Sequence, residues 1–236
     1  MYKFWCVFIP RFFLLYFIVA IAIGYYFYPG GNHLDSSQVG YDFTRNFLSE
    51  LGFYKTLSNE TNFISSFFFN TAMFFNILVG IGFLFMPHLF NESKYAYIFA
   101  WVGAILMFFS CLFFALVGLS PGDIFFKAHI FFVQVAFNLV FLAYLFICLA
   151  FYFSQISKKY MIGSIILFII SIIYAFHIAD QPVIDAIEQK ELFQSTFTMK
   201  DLMLNAISQK LVIVSMNISL LMFTYGFDNF IKRRGL

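Results

Sequence analysis

The chain has 236 residues, of which 62% are hydrophobic, 23% aromatic and only 11% charged. A soluble domain carries about a quarter charged residues, so this chain has too few to coat a water-facing surface, and lipid is its solvent. The net charge of +2 supplies no basic field for nucleic acid, and Cys6, Cys111 and Cys148 stand far apart in apolar runs, which excludes a disulfide framework and a CxxC metal site.

Crossing about 30 Å of hydrocarbon takes roughly 20 mostly apolar residues as helix. Six stretches qualify: 12–28, 63–87, 96–118, 128–153, 161–178 and 206–227. Strands with open edges cannot cross lipid because their backbone groups would stay unsatisfied. The expected fold is therefore all-α: a single-domain polytopic membrane bundle of six transmembrane helices. The first stretch follows Lys3 and Arg11 like a signal peptide, but it runs into Tyr26-Phe27-Tyr28-Pro29-Gly30-Gly31 without a small-x-small cleavage site. It reads as a retained span.

The first long polar segment, 29–62, holds His33 and the dodecamer Tyr41 to Gly52, YDFTRNFLSELG. At about 100° per residue, Asp42, Arg45, Asn46, Ser49 and Glu50 fall on one arc and Phe43, Phe47 and Leu51 on the other. Gly52 follows, where helices stop. The pattern predicts a short amphipathic helix lying in the membrane interface. Span two then opens with Asn62, Ser65, Ser66 and Asn70 at helical spacing. A polar stripe inside a spanning helix must face other helices or a wet cavity.

Gly118-Leu119-Ser120-Pro121-Gly122-Asp123 joins spans three and four. It matches GxSxG formally, but that motif needs a strand before its turn, and none is available, so it reads as a plain turn. His129 opens span four, and His177 ends span five with Asp180 three residues on. Asp180-Gln181-Pro182 is read as the start of a further helix, with Pro in a tolerated early position. Thr198 and Asp201 form a capping-box pattern, so the last helix is expected to start near Met199 and enter the membrane as one rod.

Lysine and arginine set orientation. With both termini inside, the inner side holds Lys3, Arg11, Lys94, Lys158, Lys159 and the Lys232-Arg233-Arg234 tail. The outer side holds Arg45, Lys55, Lys127, Lys190, Lys200 and Lys210, spread over long segments, with every acid except Glu92 and Asp228. The expectation is a multi-pass protein of the cell membrane with cytoplasmic termini.

Tyr41 to Gly52 resembles the Tyr-x-x-x-Arg-Asn-x-x-Ser-acid-Leu-Gly element of the membrane family called domain of unknown function 998. Phe69-Asn70, Val117-Gly118-Leu119 with Pro121 and Asp123, and His129 resemble its later elements. The likeness covers residues 10 to 150, and the remainder by layout; Ser120 stands where the family has a bulky apolar residue. A more distant likeness is to the Frag/DRAM group of six-span proteins, some connected with lipid handling. These resemblances imply an architecture and candidate positions, not a reaction.

The combined expectation is a polar pocket at the outer leaflet that binds or processes a membrane lipid or other amphiphile. His129, Asp123, Ser49 and Glu50 are the catalytic candidates, and Arg45, Asn46, Asn62 and Asn70 the ligand-binding ones. His129, His177 and Asp180 are candidate ligands of a divalent metal such as zinc. An enzyme built this way would be a His/Asp-based lipid hydrolase or acyltransferase. The rival is a non-catalytic accessory or scaffold subunit with a membrane-protein partner. A transporter is disfavoured, since no charged residue lies deep within a span and no inverted repeat is visible.

Overall fold

Six apolar helices cross the bundle in the computed structural model, which describes residues 1–235. They are α1 (Phe4–Phe27), α2 (Phe63–Phe83), α3 (Lys94–Leu119), α4 (Phe126–Tyr152), α5 (Ile162–Ile178) and α7 (Met199–Arg234). A short helix, α6 (Lys190–Thr196), lies in the last long connection. The first turn of α1, Phe4–Phe8, is wound as π-helix, and 3-10 turns at Met86–Phe90 and Lys158–Met161 close α2 and open α5. The protein is a polytopic all-α membrane bundle, and each expected span lies on one of these helices.

Helices α1 to α4 pack as sequential neighbours. Close approach needs small residues: a Cβ on Gly103 would lie 2.9 Å from Ile147 of α4, and one on Gly118 would lie 2.7 Å from the Asn70 carbonyl of α2. Helix α7 ties the bundle together. Tyr144 of α4 donates to the Met216 carbonyl at 3.0 Å, Arg11 of α1 donates to Thr224 at 3.0 Å, and Phe223 and Phe227 are fully buried against Phe151. Helix α5 packs chiefly on α7 and turns Ile165, Ile169, Ile172 and Phe176 outward, the pattern of a lipid-facing helix.

The expected capping box starts α7: Thr198 Oγ1 accepts from Asp201 N–H at 3.3 Å, and Asp201 Oδ2 accepts from Thr198 N–H at 2.9 Å. The helix runs 36 residues, about 54 Å at the helical rise, longer than the hydrocarbon, so it projects from the membrane. It ends at Gly235 with φ 66°, with Lys232, Arg233 and Arg234 on the last turn, where cations suit the dipole. Lys3 lies 3.7 Å from Asp228, so both termini share one end of the bundle. The segments 29–62 and 179–198 gather at the other, the loop end.

Two local expectations change. The dodecamer is not one α-helix. Asp42 accepts from the Thr44 N–H at 2.7 Å and closes a turn that ends when Asn46 N–H meets the Asp42 carbonyl at 2.9 Å. Phe47 is extended (φ −69°, ψ 151°), and a 3-10 turn covers Leu48–Gly52. Asp and Asn side chains that bond nearby backbone compete with helix, and the chain breaks between them. The predicted arcs break too: Asn46 and Glu50 turn inward, while Phe43 is 55% exposed. Likewise no helix starts at Pro182; residues 181–185 carry no regular secondary structure, and helix resumes only at Lys190. The residue before a proline prefers extended backbone, and Gln181 is anchored there by its side-chain oxygen, which accepts from Asn205 of α7 at 2.7 Å.

Candidate functional site

Glu50 is the pivot of the loop end. It has no accessible surface, and donors surround its carboxylate. Oε1 accepts from the Phe47 N–H at 2.9 Å and lies 3.0 Å from His33 Nε2. Oε2 accepts from Asn46 Nδ2 and, at 3.5 Å, from the Tyr28 hydroxyl. Asn46 is equally committed: its Nδ2 also donates to the Gly31 carbonyl at 2.7 Å, and its Oδ1 accepts from Gln38 Nε2 at 2.6 Å and Asp42 N–H at 2.9 Å. Lys210, 4% exposed, donates to the Asn46 carbonyl and, at 3.2 Å, to the Ala206 carbonyl. This network clamps segment 29–62 to α7.

The polar stripe of α2 performs a similar task. Asn62 Nδ2 donates to the carbonyls of Leu51 at 3.2 Å and Phe53 at 2.9 Å; Ser65 donates to Leu51 at 2.9 Å, and Asn70 Nδ2 to Gly52 at 3.0 Å. Carbonyls without a sheet partner are costly to bury, and these side chains satisfy them. The Nδ2 groups of Asn46, Asn62 and Asn70, the ligand-binding candidates, all donate to the protein's own carbonyls, while Asn62 Oδ1 is buried with no partner among the described residues.

Arg45 pairs within its own turn, Nε lying 3.4 Å from Asp42 Oδ2, and not with Asp123. Asp123 Oδ2 accepts from the N–H groups of Tyr54 at 3.1 Å and Lys55 at 2.9 Å. It latches the end of the first loop to the turn before α4. The metal set does not assemble: Asp180 is exposed, His177 lies on Gln181, and His129 bonds Ser120. Among the described residues no three His, Cys, Asp or Glu side chains gather as a metal ion would require.

What does converge is a cavity of about 260 Å³ at the loop end, lined by His33, Ser49, His129, Asn205 and Gln209 together with Phe47, Phe126, Tyr174, Phe193 and Leu202. Two candidates, Ser49 and His129, thus meet in one space, joined by His33. Glu50 reaches it only through His33. The two histidines are held alike. His129 Nδ1 lies 2.8 Å from the Ser120 carbonyl, which can only accept, so Nδ1 carries the proton and Nε2 is left as an acceptor. His33 gives Nε2 to Glu50, and its Nδ1 is buried with no partner among the described residues. Asn205 Oδ1 is likewise buried and unpaired. Buried polar atoms demand a partner, and these two, on residues that line the cavity, have none among the described residues.

A smaller apolar pocket of about 60 Å³ lies deeper, between Phe17, Phe69, Phe114, Phe137 and Met216. It shares Ser49, Val133 and Gln209 with the first cavity. Gln209 is held in that shared wall by accepting from the Leu48 N–H at 2.9 Å. His33, Gln209 and Lys210 are not among the site candidates read from the sequence. Lys210 did carry a signal: an ionisable residue inside the predicted span 206–227 has to find partners.

Comparison with protein families, with curated proteins and with solved structures finds no match to the chain.

Proposed function

We propose that this integral membrane protein binds and processes an amphiphile, taking its polar head into the loop-end cavity and the start of its apolar tail into the deeper pocket. The observation that carries the reading is the shared wall of Ser49, Val133 and Gln209 between a cavity that sets His33, His129, Asn205 and Gln209 among aromatic side chains and a deeper, almost wholly apolar pocket. A ligand lying across that wall must be polar at one end and apolar at the other. His129 Nε2 is the free acceptor for the head, and the unpaired His33 Nδ1 lies buried on another lining residue of the same cavity. Glu50 orients His33 as a carboxylate orients a general base, and the Ser49 hydroxyl, on the same cavity, is the candidate nucleophile of a lipid hydrolase or acyltransferase. The loop end faces outward and both termini are cytoplasmic, because the terminal end carries Lys3, Arg11, Lys232, Arg233 and Arg234. The resemblance of Tyr41 to Gly52 to the domain of unknown function 998 element falls on the segment that supplies Ser49 and Glu50.

A second reading, a non-catalytic scaffold, draws support from the commitment of Asn46, Asn62 and Asn70 to backbone carbonyls. Mass spectrometry of lipids retained by the purified protein separates the two. The amphiphile reading expects one species enriched over the bulk membrane, and expects His129→Ala and His33→Ala to lose it while melting stays cooperative. A retained-lipid profile equal to bulk membrane, unchanged in both variants, would leave the scaffold.

A further inference from the structure

Lys210 is a buried cation without a contact ion pair: among the described residues, no carboxylate lies within 4.0 Å of its ammonium, and Glu50 and Asp42 act on it only from farther off. It has three N–H donors, and the Asn46 and Ala206 carbonyls take two of them. The rings of Tyr41 and Phe43 stand 5.5 and 5.1 Å away, which eases the charge without neutralising it. Beside it a groove of about 500 Å³ runs down the outside of the bundle between α1 and α7. Leu14, Ile18 and Ile21 form one wall, Val214, Ile218 and Leu221 the other, and Lys210 and Arg11 stand at its two ends. Ile18, Val214 and Ile218 are exposed, so the groove opens sideways, toward lipid.

We propose that this groove is a binding site for a long-chain fatty acid drawn from the leaflet at the loop end, its carboxylate on Lys210 and its chain lying between α1 and α7. Charge assigns the direction. The Arg11 guanidinium already faces an acid: Nε donates to Thr224 at 3.0 Å, Nη2 lies 3.9 Å from Asp228 without a hydrogen-bond partner of its own among the described residues, and the Tyr225 ring stacks at 4.4 Å. Lys210 has no acid within 4.0 Å and no third acceptor. Length agrees, since Lys210 to Leu221 covers about 16 Å at the helical rise, close to half of the hydrocarbon thickness of about 30 Å, the depth of one leaflet. Size favours a small head: Lys210 is 4% exposed, and a carboxylate slips past the Phe43 ring more readily than a glycerophosphate. The groove shares Phe17, Leu48, Ile213 and Asn217 with the deeper apolar pocket. It therefore flanks the route from lipid to the His33 and His129 cavity. That last step rests on the amphiphile reading above; binding in the groove does not.

The test is photo-crosslinking of the full chain in phosphatidylcholine nanodiscs with palmitate carrying a chain diazirine, and with the matching fatty alcohol. Adduct mapping is expected to find the acid on α1 between Leu14 and Ile21 and on α7 between Ile213 and Leu221. The acid should label about tenfold more than the alcohol there, the worth of one charge-assisted hydrogen bond. Unlabelled palmitate should compete, and phosphatidylglycerol should not. Lys210→Gln should bring acid and alcohol to equal labelling. The comparison of acid with alcohol in the native protein holds even where that variant folds poorly. Acid and alcohol labelling alike in the native protein, or adducts spread over α5 as over the groove, would overturn the proposal. Competition by phosphatidylglycerol instead of palmitate would overturn the choice of fatty acid. Groove labelling that survives His129→Ala while the retained amphiphile is lost separates the two sites.

Discussion

Replacing Glu50 with Gln tests whether the loop end is held by a dry, fully paired carboxylate. The change keeps shape and removes one acceptor oxygen. In the native protein Oε1 faces Phe47 N–H and His33 Nε2, and Oε2 faces Asn46 Nδ2 and the Tyr28 hydroxyl. With the amide nitrogen at the second position it confronts Asn46 Nδ2, and Asn46 cannot flip because its Oδ1 serves Gln38 and Asp42. With the nitrogen at the first position it confronts the Phe47 N–H, a backbone donor that has no alternative. Either way one or two buried donors lose their acceptor, at about 1–3 kcal/mol each. The loss is about 1–6 kcal/mol, or roughly 2–20 °C in Tm for a chain of this size. Cys6, Cys111 and Cys148 are free and buried, so a thiol-reactive fluorogenic dye reports unfolding directly in detergent. Glu188→Gln, at an exposed carboxylate, is the control and should melt like the native protein. An unchanged Tm for Glu50→Gln would mean that water or a neighbour meets those donors, and the clamp reasoning would fail.

Asp42 gives a pH signature. Partial burial pushes its carboxyl up, but the Thr44 hydroxyl and N–H, with Arg45, outweigh this and hold it below its ordinary value. A pKa lowered on folding stabilises above the ordinary range near pH 4, and that gain is lost as pH falls through the lowered value. Asp42→Asn should therefore melt below the native protein at neutral pH, the difference shrinking as pH falls below the ordinary carboxylate range; a difference that stays constant as pH falls would refute it. Gly118→Ala puts a Cβ 2.7 Å from the Asn70 carbonyl and 2.7 Å from Met73 Cβ, and should cost about 1–3 kcal/mol, read as a lower Tm. For orientation, an impermeant thiol reagent applied outside intact cells should label a cysteine placed at 190 and not one at 233; the reverse pattern would invert the membrane placement.

Residue pattern alone carried the membrane architecture. Hydrocarbon demands continuous apolar helix wherever the chain crosses, and that demand is local, so the spans and their ends were legible to within a few residues, apart from the extra turns on α1 and α7. The capping box at Thr198 and Asp201 was legible for the same reason, since both partners lie in one turn. At the dodecamer the local signal misled. Its helical period was genuine, but Asp42 and Asn46 bond the backbone around them and stop the helix at Phe47.

The site divided along the same line. Composition could say that polar residues collect at one end of the bundle, and two of them, Ser49 and His129, do share a cavity. It could not say which were free. Asn62 and Asn70 meet loop carbonyls, Asp123 meets the Tyr54 and Lys55 amides, and Lys210 reaches the Asn46 carbonyl across 164 residues of sequence. His33 mattered only once Glu50 stood beside it. Lipid as solvent acts on each residue where it stands, so sequence reveals it; hydrogen bonds join whichever groups the folded chain brings within reach. Tertiary structure alone decides which buried polar atoms are satisfied and which, like His33 Nδ1, still await a partner.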